Sequence, residues 1–243
     1  MYLQHFNPYH DKLGRFDKSP IDINQTRMDA VNKINSNVSA IKRPHTDYNL
    51  DKWGKSKNTN VLYVTGIAGS GKSTVANDMA KKYKADVINI DLYTFKTTMG
   101  YVQGMSKSFN KYMDKNYPGW QNMQKEAYEV LTKNDRRLQK KAGLWFDTLE
   151  AGITGYGRDC YGKYKVVAEG VQILDDTLFY NNKQVLRGQP LIVMDTSVVD
   201  SLISRANRDN KSIDKLLEPE RARQLQTWVK DQGYLKKTMA DID

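Results

Sequence analysis

Residues 61–73 read Val-Leu-Tyr-Val-Thr-Gly-Ile-Ala-Gly-Ser-Gly-Lys-Ser, an apolar run that opens into the full pattern G-x-x-x-x-G-K-[ST] from Gly66 to Ser73. Val61 to Thr65 have the β propensity of a short strand. From Thr74 to Lys84 there is no Gly or Pro, and Val75, Met79 and Tyr83 fall at helical spacing, which predicts a helix over 72–84. Strand, glycine loop and helix form the arrangement in which backbone N–H groups turn inward around phosphate oxygens. Gly66, Gly69 and Gly71 supply conformations that a side chain would obstruct, and Ala68, Ser70 and Thr74 complete the expected lining. Lys72 is expected to reach the β- and γ-phosphates and the Ser73 hydroxyl to ligate Mg²⁺, with the helix start adding its positive dipole end. The expected ligand is a nucleoside triphosphate with its magnesium.

Outward from this segment the pattern alternates. Asp86 to Ile90 reads as a second strand ending in Asp91, Lys165 to Ala168 as a third and Pro190 to Met194 as a fourth. Ser197 is placed to cap a helix that runs to Asp209, and a last helix is expected over about 219–231. Residues 103–152 are long, basic and mostly helical, with a break at Tyr117-Pro-Gly119. Strands alternating with helices predict an α/β fold with a parallel sheet covered on both faces. The expected domain spans 59–243, with 103–152 as a helical acceptor-side insertion and 203–212 as a lid-like segment. Residues 1–58 read as an N-terminal extension. Its helix is expected over 24–41, where Met28, Val31, Ile34, Val38 and Ile41 form a packing stripe. Pro44 is expected to end that helix, and Asp47 to Asn60 to form a polar connector around Trp53.

The 243 residues suffice for one substantial core. No apolar stretch approaches the roughly 20 residues that span a bilayer, and the first residues do not read as a signal peptide. Cys160 is the single cysteine, which suits a reducing, cytoplasmic setting and an ordinary free thiol. The net charge of +10 is concentrated: residues 100–165 carry twelve Lys/Arg against seven Asp/Glu, and 1–60 carry ten against six. Such an excess attracts nucleic acid or a polyanionic substrate, or else it is a solvated helix face. His5, His10 and His45 are isolated and form no metal pattern.

In a parallel sheet, ligands bind beyond the carboxyl ends of the strands. Those ends deliver Asp91 and then Tyr93, Glu169 and Gly170, and Asp195 and Thr196. Phosphoryl transfer needs charge neutralisation, in-line positioning and a group that orients or deprotonates the acceptor. Asp91 suits the last role, and Glu169 suits magnesium coordination through a water. Arg205 and Arg208 stand one helical turn apart, spaced to clamp a transferring phosphoryl group or to form a salt-bridged helix end with Asp209. Arg158 is a candidate substrate contact in the basic middle segment.

Taken together, the loop Gly66–Ser73, Asn89-Ile-Asp91-Leu-Tyr93, Ala168-Glu-Gly170 and Arg205-x-x-Arg208-Asp209 resemble the small P-loop kinases. Uridine kinase and phosphoribulokinase are the nearest pattern, with zeta-toxin-like and nucleoside monophosphate kinases as relatives. The resemblance covers about residues 60–212. It implies a P-loop NTPase fold and an ATP- and Mg²⁺-dependent kinase acting on a hydroxyl of a small molecule: a nucleoside, nucleotide or sugar nucleotide. It implies Asp91 as base and acceptor contact, Tyr93 beside it, Glu169 in the metal shell, and Arg205 and Arg208 as lid arginines. The pattern departs from those kinases after the lid, where they place a fifth strand near the adenine and this sequence reads as a helix and a polar tail. The basic middle segment leaves a polynucleotide 5′-kinase as an alternative. A shorter likeness, Asn7-Pro-Tyr-His10 to Gly14-Arg-Phe16, resembles an element of some phage head-associated proteins and implies a virion-associated nucleotide-binding protein as another.

Overall fold

Strand β2 (Val61–Gly66) is buried along its whole length, with no alternation of inside and outside. An unbroken buried run is the signature of a parallel strand covered on both faces. Strands β3 (Ala85–Asn89), β4 (Lys165–Glu169) and β5 (Leu191–Asp195) join it. With the three-residue β1 (Arg43–His45) the order across the sheet is β1-β5-β2-β4-β3. Strands β2 to β5 are parallel, giving the expected α/β class, and the arrangement is compatible with a P-loop NTPase-like fold. This computed structural model describes residues 60–95, 105–133, 139–160, 163–170, 173 and 190–216, with isolated positions 25, 28–30, 32, 43–45 and 53. The expected helix at 219–231 and the Asn7–Phe16 element lie outside them, as do Val31, Ile34, Val38 and Ile41.

Two compact units divide the chain: Met1–His45 with Gly66–Gly71 and Met194–Asp243, and Thr46–Thr65 with Lys72–Val193. In the second unit, helix α1 (Lys72–Tyr83) packs on β3 and β4. It ends at Lys84, whose φ of 52° turns the chain straight into β3. The register sets Val64 beside Glu169 and Asn89 beside Glu169, so the carboxyl ends of β4 and β3 are level and β2 runs two residues further, to Gly66. The second strand stops two residues short of Asp91. Asn89 Oδ1 accepts the Leu92 N–H at 3.2 Å and starts helix α2 (Ile90–Phe95) at once. Asp91 therefore stands in the first turn of a helix rather than on a free strand end.

The middle segment forms α3 (Lys107–Asn116), α4 (Trp120–Lys133) and α5 (Gln139–Asp159). The break at Tyr117–Gly119 is present, with Gly119 at φ 85°. Helix α5 continues past residue 152 because its glycines act as packing sites. A Cβ on Gly152 would strike Met113, one on Gly155 the Tyr112 hydroxyl, and one on Gly157 the Val61 side chain. Trp53 is core rather than connector: it is fully buried, with its ring edge-on to Tyr83 and the Lys165 ammonium above it.

In the first unit, α6 (Val198–Asp209) and α7 (Ile213–Leu216) pack together. Ile67, Val198, Leu202, Ile203, Ala206, Ile213, Leu216 and Ala30 form the core. Ser197 caps α6 as expected, accepting the Asp200 N–H at 3.0 Å, and Asn210 closes it in the left-handed region. Met28, expected on the packing stripe, is 58% exposed, while Ala30 is fully buried, so burial here centres on Ala30. Among the described residues no helix is long and apolar enough to cross a membrane.

Candidate phosphate-binding site

Within the first unit the loop residues Gly66, Gly69 and Gly71 take φ of 153°, 86° and 89°. At Gly69 the need for glycine is double, because a Cβ would also lie 2.7 Å from the Ser201 carbonyl oxygen. The Arg205 Cγ would be 3.0 Å from the same Cβ, so the Arg205 side chain runs beside the loop. Ser70 N–H donates to Ile67 O at 3.1 Å, and Thr196 Oγ1 donates to Ser70 O at 3.4 Å. These bonds and the burial of Ile67 hold the loop in its turn. Ala68 is half-buried and packs on the α6 core. The Ser70 hydroxyl is buried, with no hydrogen-bond partner among the described residues.

Within the second unit the first residues of α1 meet the strand ends. Lys72 is 6% exposed, and its ammonium lies 3.6 Å from Asp91 Oδ2. The Ser73 hydroxyl donates to Glu169 Oε1 at 3.0 Å, and Asn89 Nδ2 donates to the same oxygen at 2.6 Å. Thr74 is exposed in the first turn. Glu169 is 1% exposed, and its Oε2 has no partner among the described residues. Burial pushes its carboxyl up to about 7 against the opposing pull of Lys72, with Asp91 adding to the rise and the bonds from Ser73 and Asn89 reducing it.

This donor set fits Mg²⁺. A hard cation that keeps most of its waters takes one or two protein oxygens and the phosphates. Ser73 Oγ and Glu169 Oε2, which has no partner among the described residues, are oxygens of that kind, the latter by way of a water. Among the described residues no group of three or more His, Cys, Asp or Glu forms a self-sufficient metal cage.

The other sequence candidates are dispersed. Tyr93 is fully buried; its hydroxyl donates to Asn110 Oδ1 at 2.5 Å, and its ring lies edge-on to Phe109. Arg158 is exposed in the last turn of α5. That turn belongs to the amino ends of the strands, because Asn60, just before β2, donates to Gly157 O and Tyr164 O. Arg158 is therefore at the opposite end of the strands from Glu169. Arg205 and Arg208 both reach Asp209, at 3.7 and 2.8 Å, and the Arg208 side chain is 64% exposed. The Arg208 hydrogen bond holds the Asp209 carboxyl below its ordinary range.

Three residues that the sequence reading does not single out fix α2. Asn89 caps its start. At its far end the Tyr93 carbonyl accepts Gln124 Nε2 at 3.0 Å and Trp145 Nε1 at 3.1 Å. An Asn at the end of an apolar strand is a readable cap signal, but the Gln124 and Trp145 bonds join residues 31 and 52 positions apart and leave no local trace. No family model matches the chain, and no curated protein or solved structure matches it either.

Proposed function

We propose that the chain is an ATP- and Mg²⁺-dependent P-loop phosphotransferase that phosphorylates a hydroxyl of a nucleoside, nucleotide or sugar nucleotide. The observation that carries the reading is the set formed by Lys72, Asp91, Ser73 and Glu169: a buried ammonium 3.6 Å from a carboxylate, and a hydroxyl bonded to a buried carboxylate with a spare oxygen. Lys72 and the loop amides hold the phosphates, and their charge exceeds that of the carboxylate Lys72 now faces. Asp91 accepts the proton of the acceptor hydroxyl as its oxygen bonds to the γ-phosphorus and the bond to the β-phosphate oxygen breaks, releasing ADP. Ser73 and, through a water, Glu169 would hold Mg²⁺, which when bound would supply charge neutralisation to the phosphates. Arg205 and Arg208 remain the lid arginines of the proposal; within their own unit the Arg205 side chain runs beside Gly69, and both arginines pair with Asp209.

The test is a metabolite-pool screen with γ-labelled ATP alongside ATP binding. Lys72→Ala is expected to lose both binding and transfer. Asp91→Ala is expected to lose transfer by a factor of about 10² or more and to retain ATP binding. Full transfer by the Asp91 variant removes it as the base.

One observation favours a polynucleotide acceptor as a second reading. Lys107, Lys111 and Lys115 are exposed at four-residue intervals on α3. That reading requires oligonucleotide affinity that falls steeply with salt; no binding at low salt eliminates it.

A further inference from the structure

We propose that Asn89 is a positioning residue that sets two carboxylates at once, orienting Glu169 through its amide N–H and capping the helix that carries Asp91 through its amide oxygen. The inference rests on the phosphate-site reading and adds to it the residue that assembles the acid groups. Asn89 Nδ2 donates to Glu169 Oε1 at 2.6 Å, and Asn89 Oδ1 accepts from Leu92 N at 3.2 Å. Only one orientation of the amide satisfies both bonds. Flipped, it would set oxygen against carboxylate and NH₂ against N–H.

The first bond, with that from Ser73, occupies Glu169 Oε1 and leaves Oε2 as the buried oxygen with no described partner. An outer residue that turns a carboxylate so that one oxygen is spent and the other presented controls the affinity of whatever that oxygen holds. The second bond matters because α2 has six residues, too few to persist on helical propensity alone. Its position depends on its anchors: the Asn89 cap at one end and the Tyr93 carbonyl bonds from Gln124 and Trp145 at the other. Asp91 lies one residue inside the capped end. An aspartate at position 89 would supply the cap acceptor but no donor, and a serine would cap but not reach Glu169. The two functions can therefore be separated by substitution.

The experiment measures binding of a fluorescent ATP analogue with and without Mg²⁺, together with amide hydrogen exchange at Leu92, in the full chain. For Asn89→Asp the Mg²⁺ concentration at half-effect is expected to rise about 10- to 100-fold, with metal-free analogue binding and slow Leu92 exchange both retained. Asn89→Ser separates the roles in the same way without an added charge, should the Asp variant fold poorly. For Asn89→Ala the metal effect is the same and Leu92 exchange becomes fast. Unchanged Mg²⁺ dependence in both Asp and Ser variants overturns the orientation of Glu169, and slow Leu92 exchange in the Ala variant overturns the cap. Failure of the unaltered protein to bind the analogue overturns the phosphate-site reading and the Glu169 role with it. The Leu92 exchange still reads the cap on its own.

Discussion

Glu169 is where burial and charge compete most directly. Its ordinary value of 4.5 is raised to about 7, chiefly because a carboxylate at 1% exposure loses its water. The folded protein thus holds this proton more tightly than the unfolded chain does. Stability from the shift is complete below about pH 4.5 and lost as pH rises through about 7. At its full extent the shift corresponds to roughly 3 kcal/mol. Glu150, half-buried beside Asp147, is also raised to about 7, mainly by burial, so it contributes a slope of the same sign. Glu169→Gln is expected to flatten the decline in unfolding free energy between pH 5 and 8, and Glu150→Gln to flatten a separate share. Denaturant unfolding of the two variants and the parent at both pH values measures this. An unchanged slope for Glu169→Gln means that its carboxyl is not held neutral by the fold. The same residue explains why a cation is suited to this place: a positive charge near Oε2 stabilises the ionised form that burial disfavours.

Helix α5 shows how far an element can be read from sequence. The sequence reading places the end of the helical middle segment at residue 152, just before Gly155 and Gly157. The helix instead continues to Asp159 because Gly152, Gly155 and Gly157 face Met113, Tyr112 and Val61 at distances that exclude a methyl group. Close approach between distant segments has no local signature, so neither this boundary nor the burial of Trp53 could be read from nearby residues. What could be read were features with a local cause: the strand–loop–helix at 61–83, the Ser197 cap and the break at Pro118-Gly119. Asp91 and Glu169 could be placed near Lys72 and Ser73 because strand ends in a parallel sheet gather at one edge. Arg158 could not be excluded in the same way, since that depends on which end of α5 meets Asn60. The packing account makes a paired prediction. Gly157→Ala would press a methyl group onto the stiff, β-branched Val61 side chain, a cost toward the upper end of about 1–3 kcal/mol that outweighs the roughly 1 kcal/mol gained in helix propensity. Gly143→Ala has nothing within 4 Å and is expected to stabilise by about 0.5–1 kcal/mol. Thermal unfolding of both variants should therefore shift in opposite directions. Shifts of the same sign would mean that α5 does not approach Val61 through Gly157.

For the whole molecule, the net charge of +10 complicates any ligand test, because a cationic protein is stabilised by many polyanions. The loop provides a way to separate specific from general binding. Its ammonium, Lys72, is 6% exposed, whereas Lys107, Lys111 and Lys115 are open to solvent. Salt screens exposed charges far more than buried ones. A site-bound Mg·ATP at 100 times its dissociation constant adds about 2.7 kcal/mol to folding. In a domain of this size each kcal/mol raises the melting temperature by about 2–4 °C. A rise of about 5–10 °C is therefore expected, and most of it should persist when salt is raised from about 0.05 to 0.3 M with the ligand kept at the same multiple of its dissociation constant. Stabilisation by an oligonucleotide held on the α3 lysines should instead collapse over that range. Lys72→Ala should abolish the salt-resistant part and leave the salt-sensitive part intact. If Mg·ATP stabilisation vanishes with salt, or survives in Lys72→Ala, the triphosphate is held by general surface charge and the glycine loop is not its site.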